Sequence, residues 1–375
     1  MLLAWQLGKQ VLPDHTSKFS RKDFTLPQLF ACLVLREHQK KSYRGIEALL
    51  LDAQHWCHAI GMKRVPDHNT LCRAFAAIVT LRRTGKMLDL LAEWFGRART
   101  LQLSLKPLAI DTTYFESHHL SRHYERRREQ TRRKGPEKAE KNSRSAAVKR
   151  LPKMGIAVAS ACHAILSIKT RTGGGGDARW FEPLLFDAWR RAPVKKTVAD
   201  AGFDSEPNHQ IARNDMGIRS IIPATSGRPS KGPPGGKWRR RMPRLLKTRR
   251  RRRRCGYTQR WQVETVNSMI KRNLGSALRA RSARGREMEM ILRGITHDLM
   301  LLRRQIRGSR QSSPVPVFIP FSFSAPHLPT NFIPRYFFQT PNASLSLPSS
   351  STSPQSFQAI NSSGKNPLIF SHSAS

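Results

Sequence analysis

The hydrophobic period of the chain changes near residue 107, and this change limits the fold more than any other feature. Before it, apolar side chains recur at three- and four-residue spacing, as in Leu29 to Leu35, Tyr43 to Leu51 and Leu71 to Leu90. After it come short β-rich runs: PLAIDTTYF, KMGIAVASA, AILSIKTRT, KTVADAGF and RSIIPAT. An amphipathic segment, DARWFEPLLFDAWRRA, separates the third run from the fourth. EPNHQIARNDMG separates the fourth from the fifth. Three strands, then helix, strand, helix, strand, predict an α/β fold built on a mixed sheet flanked by helices. The expected organisation is an N-terminal helical domain over 1–104 and an α/β domain over 105–307.

Two segments interrupt the second domain. Residues 122–150 form a charged insertion between the first two strands, and 226–255 are rich in Pro and Gly, then in Arg. Both are expected to be mobile loops when no nucleic acid is bound. Residues 308–375 change character. They lack acids and are dominated by Ser and Pro with scattered Phe, and no amphipathic period runs through them. This low-complexity tail is expected to be disordered. Translation past a frameshift would produce a tail of the same kind. In the helical part, Asp67 or Asn69 is positioned to cap a helix that Leu71, Phe75 and Ile78 continue. Gly45 to Ile78 then reads equally as a helix-turn-helix pair or as ordinary helix packing.

Charge decides what such a chain associates with. It has 67 Lys and Arg against 25 Asp and Glu, a formal net charge of +42. An excess of that size repels itself unless a polyanion neutralises it, which points to nucleic acid. No apolar stretch reaches the ~18 residues of a transmembrane helix, and MLLAWQLGKQVL does not read as a signal peptide. Five cysteines at wide spacings, without CxxC, indicate reduced thiols in a cytoplasmic protein, and the expected location is cytoplasmic and nucleoid-associated. Cys57-His58 and Cys162-His163 lack zinc-site spacing.

Three carboxylates stand at informative positions. Asp111 follows the apolar run LAI and Asp200 follows TVA, each read as the C-terminal end of its strand. Sites in open α/β sheets form outside such ends. A single Asp there also reads as a turn or helix cap. Glu264 lies in YTQRWQVETVNSMIKR, where it is the lone acid among bases. On one continuous helix, Tyr257, Arg260, Glu264 and Lys271 fall within roughly a 60° arc of a single face. An oxygen-only set of acids suits Mg²⁺, and two such ions support phosphoryl transfer. Flanking cations on the same stripe suit a DNA strand lying along the helix. The alternative is a helix whose bases face solvent. The six arginines Arg249, Arg250, Arg251, Arg252, Arg253 and Arg254 favour phosphate contact over a plain linker.

The order of Asp in LAIDTTYF, Asp in VADAGFDS and Tyr-x2-Arg-x3-Glu-x6-Lys in YTQRWQVETVNSMIK resembles the insertion-sequence DDE transposases, in particular the group with a Tyr-Arg-Glu-Lys signature. The resemblance covers about 25–305 and includes SYRGIEALL and VPDHNTLCRAF. It implies an RNase H-like core and two Mg²⁺ ions, with Mn²⁺ able to substitute. By the same resemblance Asp111, Asp200 and Glu264 are metal ligands, and Tyr257, Arg260 and Lys271 position the DNA end. The implied activity is cutting and joining double-stranded DNA at terminal inverted repeats and target sites, by a homodimer paired on the ends. Other readings are a catalytically decayed DNA-binding remnant and an RNase H-like nuclease.

Phe203 stands where the resembled pattern usually has Tyr, and Asp204 is a rival to Asp200. GGGGD at 173–177 lacks the Lys-Ser/Thr of a phosphate loop and reads as a turn.

Overall fold

All five β-rich runs form strands of one sheet. In the computed structural model these are β1 (Leu108–Tyr114), β3 (Pro152–Ala159), β4 (Ile165–Thr172), β5 (Lys196–Ala199) and β6 (Arg219–Ile221), in the order β4-β3-β1-β5-β6. β3 runs antiparallel to β1 and to β4, whereas β5 and β6 run parallel to β1 and to each other. The short β2 (Glu116–Ser117) pairs separately with β7 (Ala277–Leu278). The structure describes residues 1–118 except 20 and 99, residue 130, residues 151–225 except 174, and residues 234–312. All of these belong to one compact unit, Met1–Phe321. Apart from 130, the insertion at 122–150 lies outside the described residues, as do 226–233 and the tail from 313.

Every residue of β3 is buried, as are Leu108 to Ile110 of β1 and Thr197 to Ala199 of β5. Continuous burial requires cover on both faces of the sheet. α7 (Ala178–Arg191) covers one face: Trp180 and Leu184 close over Gly155, and Lys169 pairs with Asp187. α11 (Trp261–Leu274) and α12 (Ala283–Ser312) cover the other face. Gly294 lets α12 approach β4, since a Cβ there would collide with Ile168. α12 runs to Ser312, beyond the 307 boundary expected for this domain.

The first hundred residues form α1 (Leu2–Val11), α2 (Leu26–His38), α3 (Tyr43–Asp52), α4 (His55–His58), α5 (His68–Ile78) and α6 (Leu81–Arg97). Thr25 and Gln28 make a capping box on α2, and Asp67 caps α5 by accepting from Asn69 N and Thr70 N. Residues 53–67, with α4 among them, join α3 to α5 in place of a tight turn. α2 packs against α1, α5 and α12, so these helices share a core with the helix that covers the sheet.

The Arg-rich segment is a correction to the sequence reading. Where a mobile loop is expected over 226–255, the chain forms α9 (Lys237–Leu246) and α10 (Arg249–Cys255). Glu206, at the start of α8 (Glu206–Gln210), accepts from the backbone N–H groups of Trp238 and Arg239, both at 3.0 Å, and so caps α9. Such an acid stabilises a helix N-terminus by charge as well as by hydrogen bonding. Asp204 then pairs with Arg239 at 2.6 Å. Thr248 caps α10, and Gly256, in the left-handed region with φ 87°, ends it. Local caps and the good helix propensity of Arg offset the repulsion that favours a loop.

A buried ion network fixes α11 in place. Arg293 of α12 is fully buried. It donates to the carbonyls of Gly275 and Ala277, just past the end of α11, at 2.6 and 2.8 Å. The same guanidinium meets Glu289 at 2.7 Å and Glu37 of α2 at 3.3 Å. Arg293→Met takes the ion-pair partner from buried Glu289 and leaves buried Glu37 with Arg36 alone, and should lower unfolding free energy in urea by about 3–5 kcal/mol. Adding Glu37→Gln and Glu289→Gln should restore part of the loss. A loss below about 1 kcal/mol would mean the network does not hold this junction.

Candidate active site

The β1–β5 ladder ends its register with Ile110 opposite Ala199. The next residue on each strand is Asp111 or Asp200, so one step of parallel pairing sets the two acids side by side. Asp111 does not end its strand, contrary to the sequence reading. β1 continues to Tyr114 because β3 still pairs with it there. Alternation along β1 turns Asp111 to the α11 face and Thr112 to the α7 face, where its hydroxyl donates to Asp177 at 3.1 Å. Asp200 caps the short 3-10 turn Ala201–Phe203, accepting from Ala201 N at 2.7 Å.

α11 places the third acid. Val263, Val266, Asn267, Ile270 and Leu274 form its buried side. Glu264 projects from the exposed side of the first turn, and Lys271 stands two turns on. The single stripe expected from Tyr257 to Lys271 is interrupted, since Tyr257–Arg260 form a 3-10 turn and the α-helix begins at Trp261. Gly256, in its left-handed conformation, starts that turn and breaks the continuity with α10. Arg260 nevertheless reaches Glu264, its NH1 lying 2.6 Å from Oε1.

Asp111, Glu264 and Lys271 line one cleft of ≈ 560 Å³, together with Thr113, Asn267, Ser268, Arg272 and Ser276. Asn267 donates to Asp111 Oδ2 at 3.0 Å, and Lys271 Nζ donates to Thr113 at 2.7 Å. Burial pushes the Asp111 acid up to about 6. The Thr112 backbone N–H and Arg260 oppose this, while Glu264 and Asp200 add to it. Asp111 therefore lies within the fields of both other acids. Burial lowers the Lys271 ammonium, with Glu116 and Asp111 opposing. Tyr257 is pushed up, mainly by burial.

Asp204, the rival to Asp200, is fully committed elsewhere. Its carboxylate holds Arg239 and accepts from the Thr225 backbone and hydroxyl at 2.8 Å each. Arg249 to Arg254 lie exposed on α10, just ahead of the Tyr257 turn. The sequence reading passed over Asn267 and Thr113. Asn267 was detectable at i+3 from Glu264, one helical turn away and beside the Lys271 row. Thr113 is two residues beyond Asp111 on the same sheet face, where period two would have shown it.

Residues 103–299, more than half of the 375-residue chain, match the family described as Transposase DDE domain. The chain belongs to this family. No curated protein matches it. The transposase domain begins just before β1 and ends within α12, so it spans the whole sheet and all three acids. Among the described residues, no helix is long and apolar enough to cross a membrane.

Transposases of this family generally use divalent metal ions, and the donor chemistry fits one. The acids are hard oxygen ligands, and burial raises the Asp111 pKa, with Glu264 and Asp200 adding to it. Among the described residues, no group of three His, Cys, Asp or Glu side chains is closed to ion-binding distance. Glu264 is instead taken up by Arg260.

The raised Asp111 pKa has a stability consequence with a defined sign. The stabilisation from its protonated form is complete below 3.8 and is lost as pH rises through about 6. Asp111→Asn should therefore exceed the wild type in stability at pH 8, by up to roughly 2–3 kcal/mol. The gain should shrink through pH 6 and vanish below pH 4. Thermal melts in metal-free buffer across this range test it. A constant difference at every pH would remove Asp111 ionisation as the cause.

Proposed function

We propose that this transposase cuts double-stranded DNA at the terminal inverted repeats of an insertion sequence and joins it to target DNA, as a member of the Tyr-Arg-Glu-Lys group. The observation that carries this reading is the adjacency of Asp111 and Asp200 on parallel strands, with Glu264 facing Asp111 across one cleft. Asp111, Asp200 and Glu264 would hold two Mg²⁺ ions, with Mn²⁺ able to substitute. Bound there, the ions would supply charge stabilisation for phosphoryl transfer and activation of the attacking oxygen.

The other residues hold the DNA. Lys271, tied to Thr113, presents a fixed cation two turns along the helix from Glu264. Arg260 stands beside the acids, where an approaching phosphate competes with Glu264 for its guanidinium, and Tyr257 borders it. Arg249 to Arg254 on α10 clamp neighbouring phosphates. The helical segment 1–104 adds a further DNA-contacting surface. Joining two ends requires two copies, so the working complex is at least a homodimer, acting in the cytoplasm on the nucleoid.

The Arg260–Glu264 pair favours a second reading, a DNA-binding remnant in which Glu264 is permanently engaged. Cleavage of DNA carrying the element's own ends separates the two. Asp111→Ala, Asp200→Ala and Glu264→Ala should each reduce cutting by at least about 10³-fold and leave DNA binding in place. Wild-type protein that binds ends and never cuts them, with Mg²⁺ or Mn²⁺, would establish the remnant.

The α10 arginines call for a different measurement. Each neutralised phosphate adds about 0.9 to the slope of log affinity against log salt. Replacing Arg249 to Arg254 with Ser should lower that slope by about 3–5 and weaken binding for all sequences alike. An unchanged slope with lost preference for the terminal repeat would assign α10 to base reading.

A further inference from the structure

Asn267 is 7% exposed and lies on the buried side of α11, among Val263, Val266, Ile270 and Leu274. Packing alone would put an aliphatic residue there. The amide makes one hydrogen bond, from Nδ2 to Asp111 Oδ2 at 3.0 Å. Its Oδ1 is buried with no partner among the described residues. An acceptor shut away in this manner costs about 1–3 kcal/mol, and such orphans are few in native proteins. A leucine at 267 would avoid that cost and lose the donation to Asp111, so the amide is present for its donor.

The donation has a geometric effect. It ties one oxygen of Asp111 to a helix that is itself anchored by Arg293, which sets the carboxylate torsion. The second oxygen then keeps lone pairs for another partner. An amide N–H also makes this bond to an ionised carboxylate without supplying charge, whereas a Lys or Arg in its place would compete with a cation. A neutral donor is the choice that orients Asp111 and leaves its charge unspent.

We propose that Asn267 is the positioning residue of Asp111, holding one carboxylate oxygen so that the other is presented to a divalent cation. This rests on the reading of Asp111 as an ion-binding carboxylate. The outer partners of metal ligands typically contribute 10–100-fold in affinity.

The test is Mn²⁺ binding to the full-length protein without DNA, followed by electron paramagnetic resonance, together with thermal melting in metal-free buffer. Wild type, Asp111→Ala, Asn267→Leu and Asn267→Ala are compared. Asn267→Leu keeps the branched side-chain shape and deletes the donor, and it should bind Mn²⁺ about 10–100-fold more weakly with an equal or higher Tm. A purely structural residue would give the opposite pattern, a lower Tm with affinity within twofold of wild type, and that result overturns the proposal. Asn267→Ala serves if Asn267→Leu does not fold, and failure of both assigns the amide to folding and likewise overturns it. If Asp111→Ala binds Mn²⁺ as wild type does, the reading of the site fails first, and the role of Asn267 falls with it.

Discussion

The parallel pairing of β1 with β5 is the constraint on which the site depends. With Ile110 opposite Ala199, the two following acids cannot avoid one another. Parallel strands need a long crossover, and the chain between β1 and β5 supplies β3, β4 and α7. These additions extend the sheet on one side and cover one of its faces. They leave the other face to α11, which carries Glu264. Register, crossover and helix placement follow from the same pairing.

Placing two acids side by side is electrostatically unfavourable, and the surrounding structure shows how the cost is contained. Asp111 lies lowest and takes the burial penalty, which appears as its raised pKa. Asp200 is exposed and solvated, and its turn donates a backbone N–H. Glu264 is half exposed and draws on Arg260. The rigid part of the problem is α11, and Arg293 holds its end to α2 and α12 with backbone carbonyls and two acids as partners. A carboxylate site of this kind needs precise support, since displacement of about 1 Å in a catalytic group is costly.

The strands and their succession along the chain were readable because each is a compact apolar run bounded by turn residues, and because helices alternate with the later strands. Asp111 and Asp200 stood out for the same reason, since each follows directly on such a run. What the sequence did not reveal depends on contacts distant along the chain. Asp111 lies within β1 because β3, after a long insertion, pairs with the second half of that strand. The 237–255 segment is helical because Glu206 and Asp204, some thirty residues earlier, cap and pin it. Asn267 resembles any polar residue on a helix until Asp111 is seen opposite it. Local composition favoured a loop in the one case and offered no signal in the other.

Acids are scarce in this chain, so the use made of each is informative. Asp67 caps α5, and Glu206 caps α9. Asp177 meets the buried Lys153, Asp204 pins Arg239, and Glu37 and Glu289 hold Arg293. The buried Asp298 accepts from Ile165 N at 3.0 Å, and burial holds its acid well above the usual range. Apart from the Asp67 cap, each of these joins two elements of the fold. Asp111 and Asp200 differ, since the first is met by an uncharged amide and the second by the backbone of its own turn. Glu264 has a cation, but one from its own helix start, in a pair open to solvent, where such contacts contribute little. In a protein with 67 basic residues, acids could readily have been matched with firm partners. Asp111, Asp200 and Glu264 lack such firm partners, and all three stand near the point where β1 and β5 end their pairing. Structural need explains the rest of the acids named here, and it does not explain these.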